Sequence, residues 1–139
     1  VLGNITQPNA AKAAREMYGE IKENNKLVYA SDLVNSYAGD TAIVYIQAMG
    51  NANYANQTDA NGTLKNTGST GDEKCKIFDM ARNALEWTTE YSTYADSSSV
   101  CPCANRGGGC NYSYGCTSNR SFRNATSSYY YISFRPYFM

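Results

Sequence analysis

Phe78-Asp79-Met80-Ala81-Arg82-Asn83-Ala84-Leu85-Glu86-Trp87-Thr88 is the stretch whose reading decides the fold, because it opens a series of ordered blocks. Asn105-Arg106-Gly107-Gly108 comes next, then an Arg-bearing segment, and finally Ser133-Phe134-Arg135-Pro136. Between the last frames lies a run made mostly of Tyr, Ser, Asn and Gly, with Tyr112, Tyr114, Tyr129, Tyr130 and Tyr131 as its aromatics. No hydrophobic core can be built from such residues. A binding surface can, since Tyr is a large, stiff, amphipathic contact with two torsions to immobilise, while Ser, Asn and Gly give adaptable hydrogen bonding. Low hydrophobicity would also suit a disordered tail. The aromatic density, and the closing Ile132, Phe134, Pro136, Tyr137 and Phe138, favour an ordered segment.

The chain's 139 residues suit one domain with a real core. Twelve basic and twelve acidic residues cancel, so no global field draws the chain to nucleic acid or an anionic membrane. The balance breaks locally: no acid follows Asp96, whereas Arg106, Arg120, Arg123 and Arg135 do, which leaves the tail mildly cationic. No apolar run approaches the length of about 20 residues that spans a bilayer, and Val1-Leu2-Gly3 does not begin a secretory signal. Either the chain is soluble, or targeting and partner segments belong to a longer polypeptide.

Histidine is absent. That removes Ser-His-Asp and Cys-His catalysis and His-ligated zinc or iron. The five cysteines, Cys75, Cys101, Cys103, Cys110 and Cys116, are odd in number, so at least one is unpaired in a monomer. Their spacing does not match paired zinc hooks. Cys75 and one of Cys101 or Cys103 are expected to pack as small buried hydrophobes or to form one bridge.

Gln7-Pro8-Asn9 reads as a helix start with Asn9 as cap, continuing through Ala10–Tyr18 to a stop at Gly19. A second helix is expected to open at Ser31-Asp32, because Leu33, Val34, Tyr37, Ala38, Thr41, Val44, Tyr45 and Ala48 recur at helical spacing, with Gly39-Asp40 a place for a bend. Residues 50–72, rich in Asn, Gly, Thr and Asp, read as a long loop, functional or mobile. Asp59, Asn61 and Asp72 could offer oxygen ligands to calcium, but their spacing is not that of an EF-hand, and a solvated loop is the better reading.

The ordered blocks, across about sixty residues, resemble the signature DM.GN..EWT, then RGG, then GFRP, of the formylglycine-generating-enzyme-like branch of the C-type lectin fold. The resemblance implies an α+β domain over residues 1–139, with two helices packed on a small, twisted, mostly antiparallel sheet and long irregular loops. The superfamily includes variable proteins of diversity-generating retroelements, which bind ligands, and copper enzymes that oxidise a substrate cysteine to formylglycine. Retroelement mutagenesis acts at adenines, so an Asn codon drifts to Tyr, Ser, Gly, Cys, Asp, Arg, Phe, Ile or Thr while frame codons persist. The tail carries that palette.

On this resemblance the variable region spans about 91–139. Its varied positions are Gly109, Cys110, Asn111, Tyr112, Tyr114, Gly115, Ser121, Phe122, Arg123, Asn124, Ser128, Tyr129, Tyr130 and Tyr131, with Tyr94 and Asn105 as outliers. Trp87, Arg106, Gly107, Gly108, Arg120, Phe134, Arg135 and Pro136 are scaffold, the aromatics in the core and the arginines bracing loops. The implied function is recognition of a protein or cell-surface ligand, displayed on a phage virion or bacterial surface, with no catalysis, cofactor, metal or membrane span. Its contact face would be on the order of 800 Å².

Two other functional classes match part of the sequence. A copper-dependent oxidase would use Cys110 and Cys116, since thiolates suit Cu(I), but the active enzymes carry a shorter gap between the thiols and an Arg-rich stretch after the second. Cys110 is therefore read as one outcome of codon drift. Single-stranded nucleic acid could stack on the tyrosines, yet four arginines, three of them assigned to the scaffold, leave a thin electrostatic footprint.

Overall fold

A computed structural model of the chain describes residues 2–58, 62–93, 100–111 and 115–139. Helix α1 is Gln7–Tyr18. Its cap position is Thr6, not Asn9: the Thr6 carbonyl accepts from Ala10 N at 2.8 Å, and Pro8 stands in the first turn, where a missing N–H costs nothing. Ala10, Ala11 and Ala14 form its buried stripe. The helix stops where Gly19 adopts φ 63°.

Strands β1 (Glu20–Glu23) and β2 (Lys26–Leu33) form a hairpin. Asn24 and Asn25 make its turn at φ 51° and 61°, left-handed values that Asn tolerates and that match the twist of a tight hairpin. Ser31-Asp32, expected to open a helix, lie in β2 instead. Pairing decides: β2 is flanked by β1 and by β9 (Pro136–Phe138), with Ser31 opposite Phe138 and Leu33 opposite Pro136. Ser31 Oγ also donates to Ala14 O at 2.8 Å and ties α1 to the strand.

Helix α2 is Ser36–Ala48, capped by Asn35, whose side chain accepts from Ala38 N at 2.8 Å. It runs unbroken through Gly39-Asp40. The face expected to be apolar and buried is the outer one: Tyr37, Val44 and Tyr45 are exposed, while Ile43 and Ile46 point inward.

Residues 50–72 hold no strand among those described, only a 3₁₀ turn at Tyr54–Asn56. The loop is nevertheless tied down. Asp79 and Asn83, both buried and at positive φ of 62° and 77°, take its backbone: Gly68 N donates to Asp79 at 2.8 Å, and Lys65 N donates to Asn83 Oδ1 at 2.9 Å. Asp72 is buried and accepts from the Tyr54 hydroxyl and from Ala81 N. Its oxygens thus serve the fold and not calcium. Asp59 and Asn61 lie outside the described residues.

Strands β3 (Glu73–Lys74) and β4 (Ile77–Phe78) pair around a turn at Cys75-Lys76, φ 54° and 65°. Strands β5 (Leu85–Tyr91), β6 (Cys103–Arg106), β7 (Arg120–Arg123) and β8 (Ile132–Phe134) form a mixed sheet in the order β7-β6-β5-β8. Only β5–β8 is parallel among these pairings.

The main core joins this sheet to α1 and β2. Trp87, wholly buried, packs with Ala10, Ala14, Leu33, Leu85 and Ile132, and Phe134 and Tyr131 lean on the cluster. Its indole nitrogen donates to Ile5 O at 2.8 Å, so the buried N–H is satisfied. Removing water from this apolar area supplies the driving force.

Candidate binding face

The arginines expected to be scaffold each find a carboxylate from another part of the chain. Arg135 grips Glu86 through Nε and Nη2 at 3.0 and 2.7 Å and donates to Phe78 O at 2.7 Å. The neighbouring Glu86 charge, opposed by burial, holds its guanidinium still more firmly protonated than usual. Such a fork is both geometric and electrostatic, which is why arginine and not lysine fits. Arg120 donates to Glu90 at 2.9 Å, and Ser36 of α2 donates to the same carboxylate. Arg106 donates to Asp40 of α2.

The paired glycines have a steric reason. A Cβ on Gly108 would stand 2.0 Å from Ala81 O, and one on Gly107, at φ 90°, 2.9 Å from Met80 O. Gly108 N donates to Met80 O, so this turn is laid directly on the Met80-Ala81 backbone. Two of the sequence blocks are therefore one structural joint.

Around that frame the residues expected to vary fall into three groups. Asn111, Asn124, Ser128, Tyr129 and Tyr130 are exposed. Ser121, Phe122, Arg123 and Tyr131 are half-buried. Asn105, Gly109, Cys110 and Gly115 are buried. Tyr94, Tyr112 and Tyr114 lie outside the described residues.

The structure brings Tyr129, Tyr130 and Tyr131 together. Tyr129 and Tyr131 stack at 5.3 Å, and Tyr130 meets Tyr131 edge-on at 5.1 Å. Their backbone is fixed from both sides, by Asn4 N donating to Tyr129 O at 2.9 Å and Leu85 N to Tyr131 O at 3.0 Å. The result is an aromatic platform whose backbone is already ordered. A second patch follows β7, where Ser121 is opposite Asn105 and Phe122 opposite Ala104. Next to it, Asn124 accepts from Thr126 N at 2.9 Å in a side-chain-closed turn.

The buried group behaves differently. Cys110 is clamped by its backbone, donating to Asn83 O and accepting from Gly62 N, each at 2.7 Å. Burial pushes its thiol up from the usual range, as it does that of Cys103, and a thiolate there is disfavoured. Cys116 Sγ lies 3.3 Å from Ser118 Oγ. All five cysteines are free, and Cys75, expected to be buried, is exposed in the β3–β4 turn. No group of three or more His, Cys, Asp and Glu suited to a metal occurs among the described residues. Asn105 Nδ2 is buried with no hydrogen-bond partner among them, while its Oδ1 accepts from Ser121 Oγ at 2.7 Å.

Sequence reasoning passed over two exposed aromatics, Tyr37 and Tyr91, 85% and 63% accessible. They flank a groove of about 350 Å³ with Arg120, Asp40 and Glu90. Tyr37 was concealed because it fits a helical apolar period; the inward Ile43 and Ile46 were the signal for the opposite face.

No protein-family model matches the sequence, and no curated protein matches it. Among solved structures the chain is similar to Treponema denticola variable protein 1, with a TM-score of 0.65 over 97% of this chain and 69% of that one, at 10% identity. At that identity the likeness is one of fold. The domain is α+β, of C-type lectin type, as the sequence blocks implied.

Proposed function

We propose that the chain is a recognition protein, diversified by a retroelement and belonging to the formylglycine-generating-enzyme-like branch of the C-type lectin fold. It binds a protein or cell-surface molecule without catalysis, and its place is a phage virion or a bacterial surface. The observation that carries this reading is the Tyr129-Tyr130-Tyr131 platform, ordered by backbone hydrogen bonds with Tyr129 and Tyr130 exposed, on a frame of arginine–carboxylate pairs. The fold likeness to a variable protein supports it. The burial of Cys110 counts against the copper oxidase.

The test is genomic and then biophysical. The surrounding DNA should hold a near-copy of the 3′ part of the gene beside a reverse transcriptase, differing from the gene only at adenines. Sister copies should vary at exposed positions such as Asn111, Asn124, Tyr129 and Tyr130 and keep Trp87, Gly108 and Arg135. An isolated gene with no such template defeats the proposal.

A further inference from the structure

We infer that the cleft beneath α2 is a binding site for a small monocarboxylate with an apolar body. The cleft, about 270 Å³, lies between the inner face of α2 and the strands β5 and β6, with the β3–β4 hairpin as a third wall. It is wide because α2 presents Ala38, Gly39 and Ala42 there, side chains too short to reach the sheet. Ile43, Ile77 and Phe78 make the rest of the lining predominantly apolar. At about 30 Å³ per liquid water, the space equals about nine waters. It lies near the lower end of ligand-sized pockets.

Its polar feature is a cation with spare donors. Arg106 lines the cleft with its side chain 10% exposed. A guanidinium has five N–H donors; among the described residues this one bonds only Asp40. Arg135, also on the wall, is already committed to Glu86 and Phe78. Its other N–H groups are solvated and not buried without a partner, so an incoming acceptor takes the place of water there, and one that carries charge is favoured over a neutral one. Lys76 at the lining adds a positive charge, partly offset by Glu73, and the Glu86 carboxylate that also lines the cleft is taken up by Arg135. An acid with a short hydrocarbon body meets both demands: its carboxylate takes the free N–H groups of Arg106, and its tail displaces water from the apolar walls.

None of the positions expected to vary lines this cleft. The inference is thus independent of the proposed recognition face, and either can fail alone.

The experiment uses octanoate as probe, followed by calorimetry and by methyl shifts of Ile43 and Ile77. Saturable one-to-one binding that moves those methyls is the expected result. Octanol, with the same tail and no charge, should bind more than about tenfold more weakly. Gly39→Leu fills the cleft from a position where an added Cβ meets nothing within 4 Å, and should abolish binding with the fold intact. Ala42→Phe gives a second block from the next turn of the helix. No binding of octanoate overturns the site; equal binding of octanol overturns the role of Arg106; undiminished binding in both folded variants overturns the location.

Discussion

Individual side chains carry unequal loads, and the differences can be measured. Trp87 sits at zero exposure in the main core, so Trp87→Ala should cost about 3–5 kcal/mol in a denaturant titration; an unchanged midpoint would remove it from the frame. Gly108→Ala must move backbone, because its new carbon would press on the Ala81 carbonyl at 2.0 Å. A loss of about 2 kcal/mol or more is expected. The three clustered tyrosines are not equivalent. Tyr129 and Tyr130 stand in solvent, and their joint replacement by Ala should leave the thermal midpoint nearly unmoved, whereas Tyr131 leans on the core and should cost about half of what a fully buried aromatic does. A triple replacement would therefore mix binding with stability.

Elements show where the sequence was legible and where it was not. The first helix could be read from its alanines and its stop from Gly19, but its start lies at Thr6, whose side chain makes no cap hydrogen bond, and not at Asn9. The β1–β2 hairpin was missed although Asn24-Asn25 marks it, since Asn-Asn is a weaker turn signal than Asn-Gly. Ser31-Asp32 looked like a cap, but they pair with Phe138 and Tyr137 of β9, a distant segment that no local window contains. The true cap is Asn35, and Asn35→Ala should lower stability by about 1 kcal/mol, read from the same titration. The frame blocks were legible because each has a steric or ionic partner within another block. The run expected to vary is tied through its backbone, Cys110 N to Asn83 O and Leu85 N to Tyr131 O, bonds that leave no side-chain signature, so its residues say what kind of surface they form but not which of them face outward.

At the scale of the whole molecule, two buried thiols and a buried tyrosine respond together to pH. Burial holds the Cys103 and Cys110 thiols above their ordinary value of 9.0, and burial with the Asp72 charge holds the Tyr54 hydroxyl above 10.0. Their folded values exceed the unfolded ones, so the stability they carry is full below the unfolded value and is lost as pH rises through the folded one. Stability should fall from about pH 9 upward, and more steeply past 10 as Tyr54 joins. Chemical denaturation at several pH values checks this, and a double Cys103→Ala, Cys110→Ala variant should flatten the first part of the decline. The last strands give the molecule its mechanical character. Residues 132–134 lie in the four-stranded sheet and 136–138 in the three-stranded one, with Arg135 locked between them. The terminal dozen residues therefore act as a zip-fastener across two seams. A chain nicked near residues 126–127 should stay assembled, and the released peptide should re-insert when added back, which would turn the domain into a split reporter whose two halves find each other.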